Sequence, residues 1–97
     1  MKIITKKTLQ DFWEKHSDAE QPLNSWYRKV LSVDIQKPQD VIEIFPNARV
    51  ISGNRVIFNI KGNTYRLVVY IRYTAKKVYI RFIGTHNEYD KINPMEV

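Results

Sequence analysis

Between Arg55 and Thr85 apolar and polar residues alternate with a period of two, which commits this half of the chain to a sheet. Three strands are expected, Arg55 to Lys61, Thr64 to Tyr73 and Lys77 to Thr85, all rich in Val, Ile, Tyr and Phe. Gly62-Asn63 suits a two-residue hairpin connection, since glycine accepts the positive φ that such turns need. Thr74-Ala75-Lys76 supplies a second turn. One face of the meander would carry Val56, Phe58, Ile60, Leu67, Val69, Ile71, Val78, Ile80 and Phe82. Nine apolar side chains on one face must be covered by another layer.

The first half of the chain has the period of that cover. Lys2 to Ile4 is expected to form a short strand, after which Thr5 reads as the N-cap of a helix. Leu9, Phe12, Trp13 and His16 follow at i, i+3, i+4 and i+7, one stripe of an amphipathic helix. Ser17-x-x-Glu20 has the spacing of a capping box and opens a second helix, whose stripe is Leu23, Trp26, Tyr27 and Val30. Lys37-Pro38-Gln39-Asp40 interrupts it, and Val41 to Phe45 adds one helical turn before Pro46-Asn47. The fold class is therefore α+β: two N-terminal helices packed on one face of a largely antiparallel sheet, with a C-terminal three-strand meander and a short terminal helix. A chain of 97 residues has room for one core, so residues 1–97 form one domain.

Charge narrows the function. Residues 1–54 carry eight bases and seven acids, whereas residues 55–97 carry eight bases and three acids, so the sheet half holds +5 of the net +6. This is the electrostatic footprint of a phosphate-rich partner. The absence of cysteine excludes disulfides and Cys-based zinc sites and fits a reducing, cytoplasmic setting. No stretch approaches the roughly 20 apolar residues of a membrane helix, so no membrane partner is expected. With only His16 and His86, far apart, no metal and no other cofactor is expected, and no nucleotide-binding or hydrolase motif is present. His16, Trp13 and Trp26 read as core residues.

The other face of the sheet would present Arg55, Ile57, Asn59, Lys61, Arg66, Val68, Tyr70, Arg72, Lys77, Tyr79, Arg81 and Ile83, six of them cationic. Like charges set opposite one another destabilise a sheet, so such a face gains by binding a polyanion. Tyrosines among the cations offer planes for unpaired bases, worth about 1–3 kcal/mol each, while arginines clamp phosphate. A solvated outer face of a two-layer protein is the plainer reading of the same pattern. Beyond the third strand, Thr85 is expected to cap a short helix that brings His86, Tyr89 and Asp90 together at i, i+3 and i+4.

Phe58-Asn59-Ile60-Lys61-Gly62-Asn63-Thr64-Tyr65-Arg66-Leu67, then Val78-Tyr79-Ile80-Arg81 and Gly84-Thr85-His86-Asn87-Glu88-Tyr89-Asp90-Lys91-Ile92, resemble the HigB type of toxin in the RelE superfamily. The resemblance implies a RelE-like fold and a toxin of a type II toxin–antitoxin system. It implies a metal-independent, ribosome-dependent endoribonuclease that cleaves mRNA by attack of a 2′-hydroxyl on the adjacent phosphate. Its implied partners are mRNA on the ribosome and a cognate antitoxin, a HigA-like helix-turn-helix protein. By position in the matching segments, Lys61 and Arg66 would stabilise phosphate charge and His86 would transfer protons, since imidazole ordinarily titrates near neutral pH. Tyr89 would serve as a second acid–base group or a stacking plane, and Asp90 and Lys91 would orient His86 or touch RNA. Arg55, Asn59, Tyr70, Arg72, Lys77, Tyr79 and Arg81 would bind the rest of the RNA; Asn63 reads as a hairpin residue only.

Two other classes remain open on the residues alone. One is a non-catalytic RNA-binding module that uses the same basic face. The other is a protein-interaction domain whose basic face docks an acidic partner. Cleavage of mRNA separates the first reading from both.

Overall fold

In the computed structural model, which describes residues 1–97, strand β1 (Lys2–Ile4) leads into helix α1 (Lys6–Lys15). A 3₁₀ turn (Ser17–Ala19) joins α1 to helix α2 (Glu20–Ser32), and helix α3 (Pro38–Ile44) follows. The sheet strands are then β2 (Arg49–Ile51), β3 (Arg55–Ile60), β4 (Tyr65–Arg72) and β5 (Lys77–Thr85), and helix α4 (His86–Tyr89) comes last. The strands form one sheet in the order β1-β5-β4-β3-β2. All neighbours are antiparallel except β1, which lies parallel to β5 with Ile3 opposite Val78. The α+β expectation holds, and the sheet gains a strand, β2, that the alternation did not announce.

The predicted apolar face is where the core forms. Val56, Phe58, Ile60, Leu67, Val69, Ile71, Val78 and Ile80 join Leu9 of α1, Leu23, Trp26 and Val30 of α2, and Val41 of α3 in one buried cluster. Leu9, Leu23 and Leu67 have no solvent-exposed surface, and each such side chain contributes about 1.5–3 kcal/mol by leaving water. Phe12, Trp13 and Tyr27 flank the cluster partly buried. His16 closes α1 and stacks on Phe12 with ring centroids 4.4 Å apart, as a packed histidine should.

Several local expectations fail for identifiable reasons. Thr5 precedes α1 as foreseen, but it sits at φ 74, and its side chain makes no cap; its carbonyl accepts from Thr8 N–H instead. Ser17 opens a separate 3₁₀ turn, so α2 starts at Glu20 without the Ser17–Glu20 box. Helix α3 covers Pro38–Ile44, longer than the one turn expected. It starts early because the Asp40 carboxylate accepts from the backbone N–H groups of Gln36 and Lys37, at 2.9 and 3.3 Å.

The strand faces also change in one place. Val69 lies opposite Ile80, yet Val68 lies opposite Phe82, so Arg81 is an extra residue inserted as a β-bulge. Beyond the bulge the alternation is inverted. Phe82 leaves the helix-covered face and joins Val68 on the open one, while Ile83, opposite Leu67, turns inward and packs against the core. The period-two split placed both residues on the wrong side, because one inserted residue reverses every side chain after it.

Candidate active site

The open face is divided into two ends by an apolar band. Ile57, Val68 and Phe82 lie across its middle, with Ile57 and Val68 buried. Tyr89 and the returning segment Asn93 to Met95 border a shallow cavity of about 420 Å³ over Ile57. On one side of the band stand Arg55, Tyr70, Arg72, Lys77, Tyr79 and Arg81. On the other stand Asn59, Arg66, His86, Tyr89 and Asp90. Arg66 and Tyr70 are four residues apart on β4, which a strand spaces by about 13 Å.

At the histidine end, the sheet register sets the geometry. Arg66 lies opposite Gly84 of β5, two residues before His86. Thr85 caps α4 as foreseen: its hydroxyl accepts from Glu88 N–H at 3.2 Å, and the Glu88 carboxylate accepts from Thr85 N–H at 2.8 Å. That backbone hydrogen bond from Thr85 holds the Glu88 carboxyl below its ordinary pKa, against a weaker opposing desolvation. The box fixes where the helix leaves the strand, and it aims Tyr89 back over the sheet. There the Arg66 guanidinium lies 5.8 Å from the Tyr89 ring centroid, and Phe82 supports that ring at 6.4 Å. His86 is exposed and its Nδ1 stands 3.2 Å from the Asp90 carboxylate. Arg66 does not pair with Glu88 or Asp90. Its Nη1 donates instead to the side-chain oxygens of Asn59, at 2.6 Å, and Asn63, at 3.1 Å.

The β3–β4 hairpin is longer than predicted. Ile60 pairs with Tyr65, leaving Lys61 to Thr64 as a four-residue loop in place of the two-residue turn. Lys61 and Gly62 both have positive φ, 53 and 64. The left-handed conformation of Lys61 turns its side chain off the open face toward the 3₁₀ turn, where its ammonium meets Asp18 at 2.6 Å. The Tyr65 hydroxyl donates to the other oxygen of the same carboxylate. The Lys61 and Tyr65 hydrogen bonds hold the Asp18 carboxyl below its usual pKa, and the bond to Asp18 pushes the Tyr65 phenol up to about 12. Of the candidate catalytic residues, Arg66 and Tyr89 are thus in contact, His86 stands in the same helical turn as Tyr89, and Lys61 is set apart on an ion pair.

At the tyrosine end, Tyr70 and Tyr79 are cross-strand partners with ring centroids 5.9 Å apart. The bulge brings Arg81 over both rings, at 5.4 and 5.7 Å. Arg55 reaches the Tyr70 ring at 5.5 Å, and three of its N–H groups donate to the main-chain oxygens of Val97 and Gly53. Arg72 pairs with Lys77 in register beside them. No group of three or more His, Asp or Glu side chains is placed to hold a metal ion, and no helix is long and apolar enough to cross a membrane.

Residues 19–92 match the family model described as HigB toxin, the RelE-like toxic component of a toxin–antitoxin system. The chain belongs to the HigB family of RelE-like toxins. The match spans α2, α3 and the sheet from β2 through the histidine end, and it brings with it an antitoxin as partner. Among curated relatives, the mRNA interferase HigB of Escherichia coli O6:H1 (strain CFT073) is 28% identical over 94 residues, 95% of this chain and 91% of that protein. The mRNA interferase HigB of Shigella flexneri is 31% identical over 92 residues, 93% of this chain and 88% of that protein.

Sequence reasoning missed three contributors to this site. Asn63 reads as turn material in the sequence, although it stands three residues before Arg66 in a loop one residue longer at each end. Period-two alternation assigns Phe82 to the core because the bulge at Arg81 is silent in it. Asp18 lies 43 residues before Lys61, and no local pattern links them.

Proposed function

We propose that this HigB-family toxin is an endoribonuclease that cleaves mRNA on the translating ribosome, with Arg66, His86 and Tyr89 as its reacting group. The observation that carries this is the convergence of the Arg66 guanidinium with the Tyr89 ring, in the same helical turn that holds His86. Both the 2′-hydroxyl attack and the 5′-oxygen departure need proton transfer, and the pentacoordinate phosphate between them gathers negative charge.

The side chains meet those needs in order. Asp90 takes the Nδ1 side of His86, which leaves Nε2 free to accept the 2′ proton. The 2′-oxygen then bonds to phosphorus as the bond to the 5′-oxygen breaks, and Arg66 stabilises the charged phosphate. The leaving 5′-oxygen takes a proton from the Tyr89 hydroxyl. The products are a 2′,3′-cyclic phosphate and a free 5′-hydroxyl. Arg72, Lys77, Tyr79, Arg81 and Tyr70 hold the RNA beyond the apolar band, and Lys91, exposed after α4, meets backbone phosphate. Lys61 adds its charge when the Asp18 pair opens. A HigA-like antitoxin, neutralising the basic face in the cytoplasm, restrains the activity.

Expression of the chain without its antitoxin should arrest growth. Primer extension on mRNA from those cells should show new 5′ ends. His86→Ala and Arg66→Ala should each relieve the arrest while circular dichroism and melting stay as in the wild type. Full toxicity in both variants would refute the assignment of the reacting group.

A further inference from the structure

The Arg66 guanidinium has five N–H groups, and two of them are already used inside the protein. Nη1 carries two hydrogens and faces two side-chain amide oxygens, Asn59 Oδ1 at 2.6 Å and Asn63 Oδ1 at 3.1 Å. Both hydrogens of Nη1 are therefore satisfied. Asn59 is the cross-strand partner of Arg66, and Asn63 reaches it from the hairpin loop, whose two positive-φ residues bring the loop back over the strand end. The third restraint is the Tyr89 ring beneath the guanidinium.

What is missing from this cage matters as much as what is present. The acidic side chains near the site are engaged elsewhere, Glu88 by the Thr85 cap, Asp90 by His86 and Asp18 by Lys61. Every group holding Arg66 is neutral. A carboxylate in place of either amide would hold the guanidinium as firmly but would cancel the charge that a phosphate must feel.

We infer that Asn59 and Asn63 are positioning residues that lock Arg66 through Nη1, so that only its Nε–H and Nη2–H edge is presented to the scissile phosphate, with the full positive charge intact. This rests on the reading of Arg66 as the phosphate clamp. The lock limits the guanidinium to a single side-on bidentate grip. It also removes, before RNA arrives, the rotational freedom that a free arginine loses on binding. The cost of misplacing this group by about 1 Å is on the order of a hundredfold in rate, and loss of one of three restraints costs less.

The test is the rate of mRNA cleavage on programmed ribosomes at saturating toxin. Asn59→Ala and Asn63→Ala should each lower that rate roughly tenfold, with melting temperatures unchanged. Asn63→Asp, which keeps an acceptor but adds a negative charge, should lower it further than Asn63→Ala. In an Arg66→Lys background, which has no Nη1 to hold, the alanine substitutions should have no further effect. A readout independent of cleavage is nitrogen NMR of the Arg66 side chain. Wild type should show hindered rotation with a distinct Nη1 signal, and the Asn59→Ala/Asn63→Ala double variant should show free exchange. Wild-type rates in both single alanine variants, undiminished losses in the Arg66→Lys background, or free guanidinium rotation in the wild type would each overturn the inference. Wild-type cleavage by Arg66→Lys would also overturn it, since lysine keeps the charge but not the side-on grip, whereas wild-type cleavage by Arg66→Ala would remove the phosphate-clamp reading on which it stands.

Discussion

Gly84→Ala adds one methyl group at the junction between the sheet and α4, and the structure decides the sign of its effect. Gly84 is not at positive φ, so alanine meets no backbone objection. In open space the change would stabilise the fold by about 0.4–1 kcal/mol through a less flexible unfolded chain. Here a Cβ would stand 2.5 Å from Phe82 Cζ and 3.1 Å from Glu88 Oε1. The first distance is far inside contact, so the Phe82 ring must swing away from its place beside Tyr89. The second atom is the one that accepts from Thr85 N–H, so the α4 cap is strained as well. Overpacking of this kind costs about 1–3 kcal/mol, which exceeds the entropic gain. For a domain of this size each kcal/mol is worth about 4–8 °C, so calorimetry should show a lower melting temperature. Cleavage should fall too, because Phe82 and Glu88 between them set the height of Tyr89 and the exit angle of His86. A melting temperature equal to or above wild type, with cleavage intact, would show that the Phe82–Glu88 corner does not position the helix.

Three further outcomes follow from the charges. Asp18→Asn should release Lys61 to bind phosphate, steepening the salt dependence of RNA binding by about one counterion. The same variant should bring the Tyr65 phenol down from about 12 toward its ordinary 10.0, as followed by ultraviolet titration. Because that phenol is raised in the folded state, the wild-type Tyr65–Asp18 bond is fully present below pH 10 and is lost as pH rises through about 12. Glu88, whose carboxyl is depressed, should keep α4 capped above its unfolded pKa and release it as pH falls through the folded value; amide exchange at Thr85 is the measure, and Glu88→Gln should remove the acid dependence. Arg81→Ala should weaken RNA binding and reduce the salt slope by about one, because it strips the cation from above Tyr70 and Tyr79.

Much of this architecture is legible from periodicity alone, and the failures share a cause. The strands of the meander, the two helical stripes and the Thr85 cap are local patterns, and each residue that defines them is near its partners in the chain. The capping box at Thr85 succeeds where that at Ser17 fails because the strand end holds Thr85 extended, at ψ 165, whereas His16 breaks the chain into a separate 3₁₀ turn. Strand β2 is three residues long and exists only because β3 offers an edge. The bulge at Arg81 is one residue in register with nothing, and periodicity has no mark for it. Period-two alternation puts Lys61 on the basic face, but a left-handed φ, which alternation does not encode, sends it to Asp18.

The hairpin loop explains how one small sheet keeps two strong cations apart at its histidine end. Lys61 and Arg66 leave the same loop, and a regular two-residue turn would hold both on the open face as diagonal neighbours of like charge. The longer loop sends Lys61 to a carboxylate on the helical layer and returns Asn63 to Arg66. One cation is neutralised by a charge and the other is steadied by dipoles alone. Only the second can meet phosphate without first breaking an ion pair, so under the proposed function the loop's backbone, more than the number of basic residues, favours Arg66 as the clamp. Shortening the loop by one residue should therefore impair cleavage even though every basic side chain is retained, and a shortened loop with unchanged cleavage would show that charge count is sufficient.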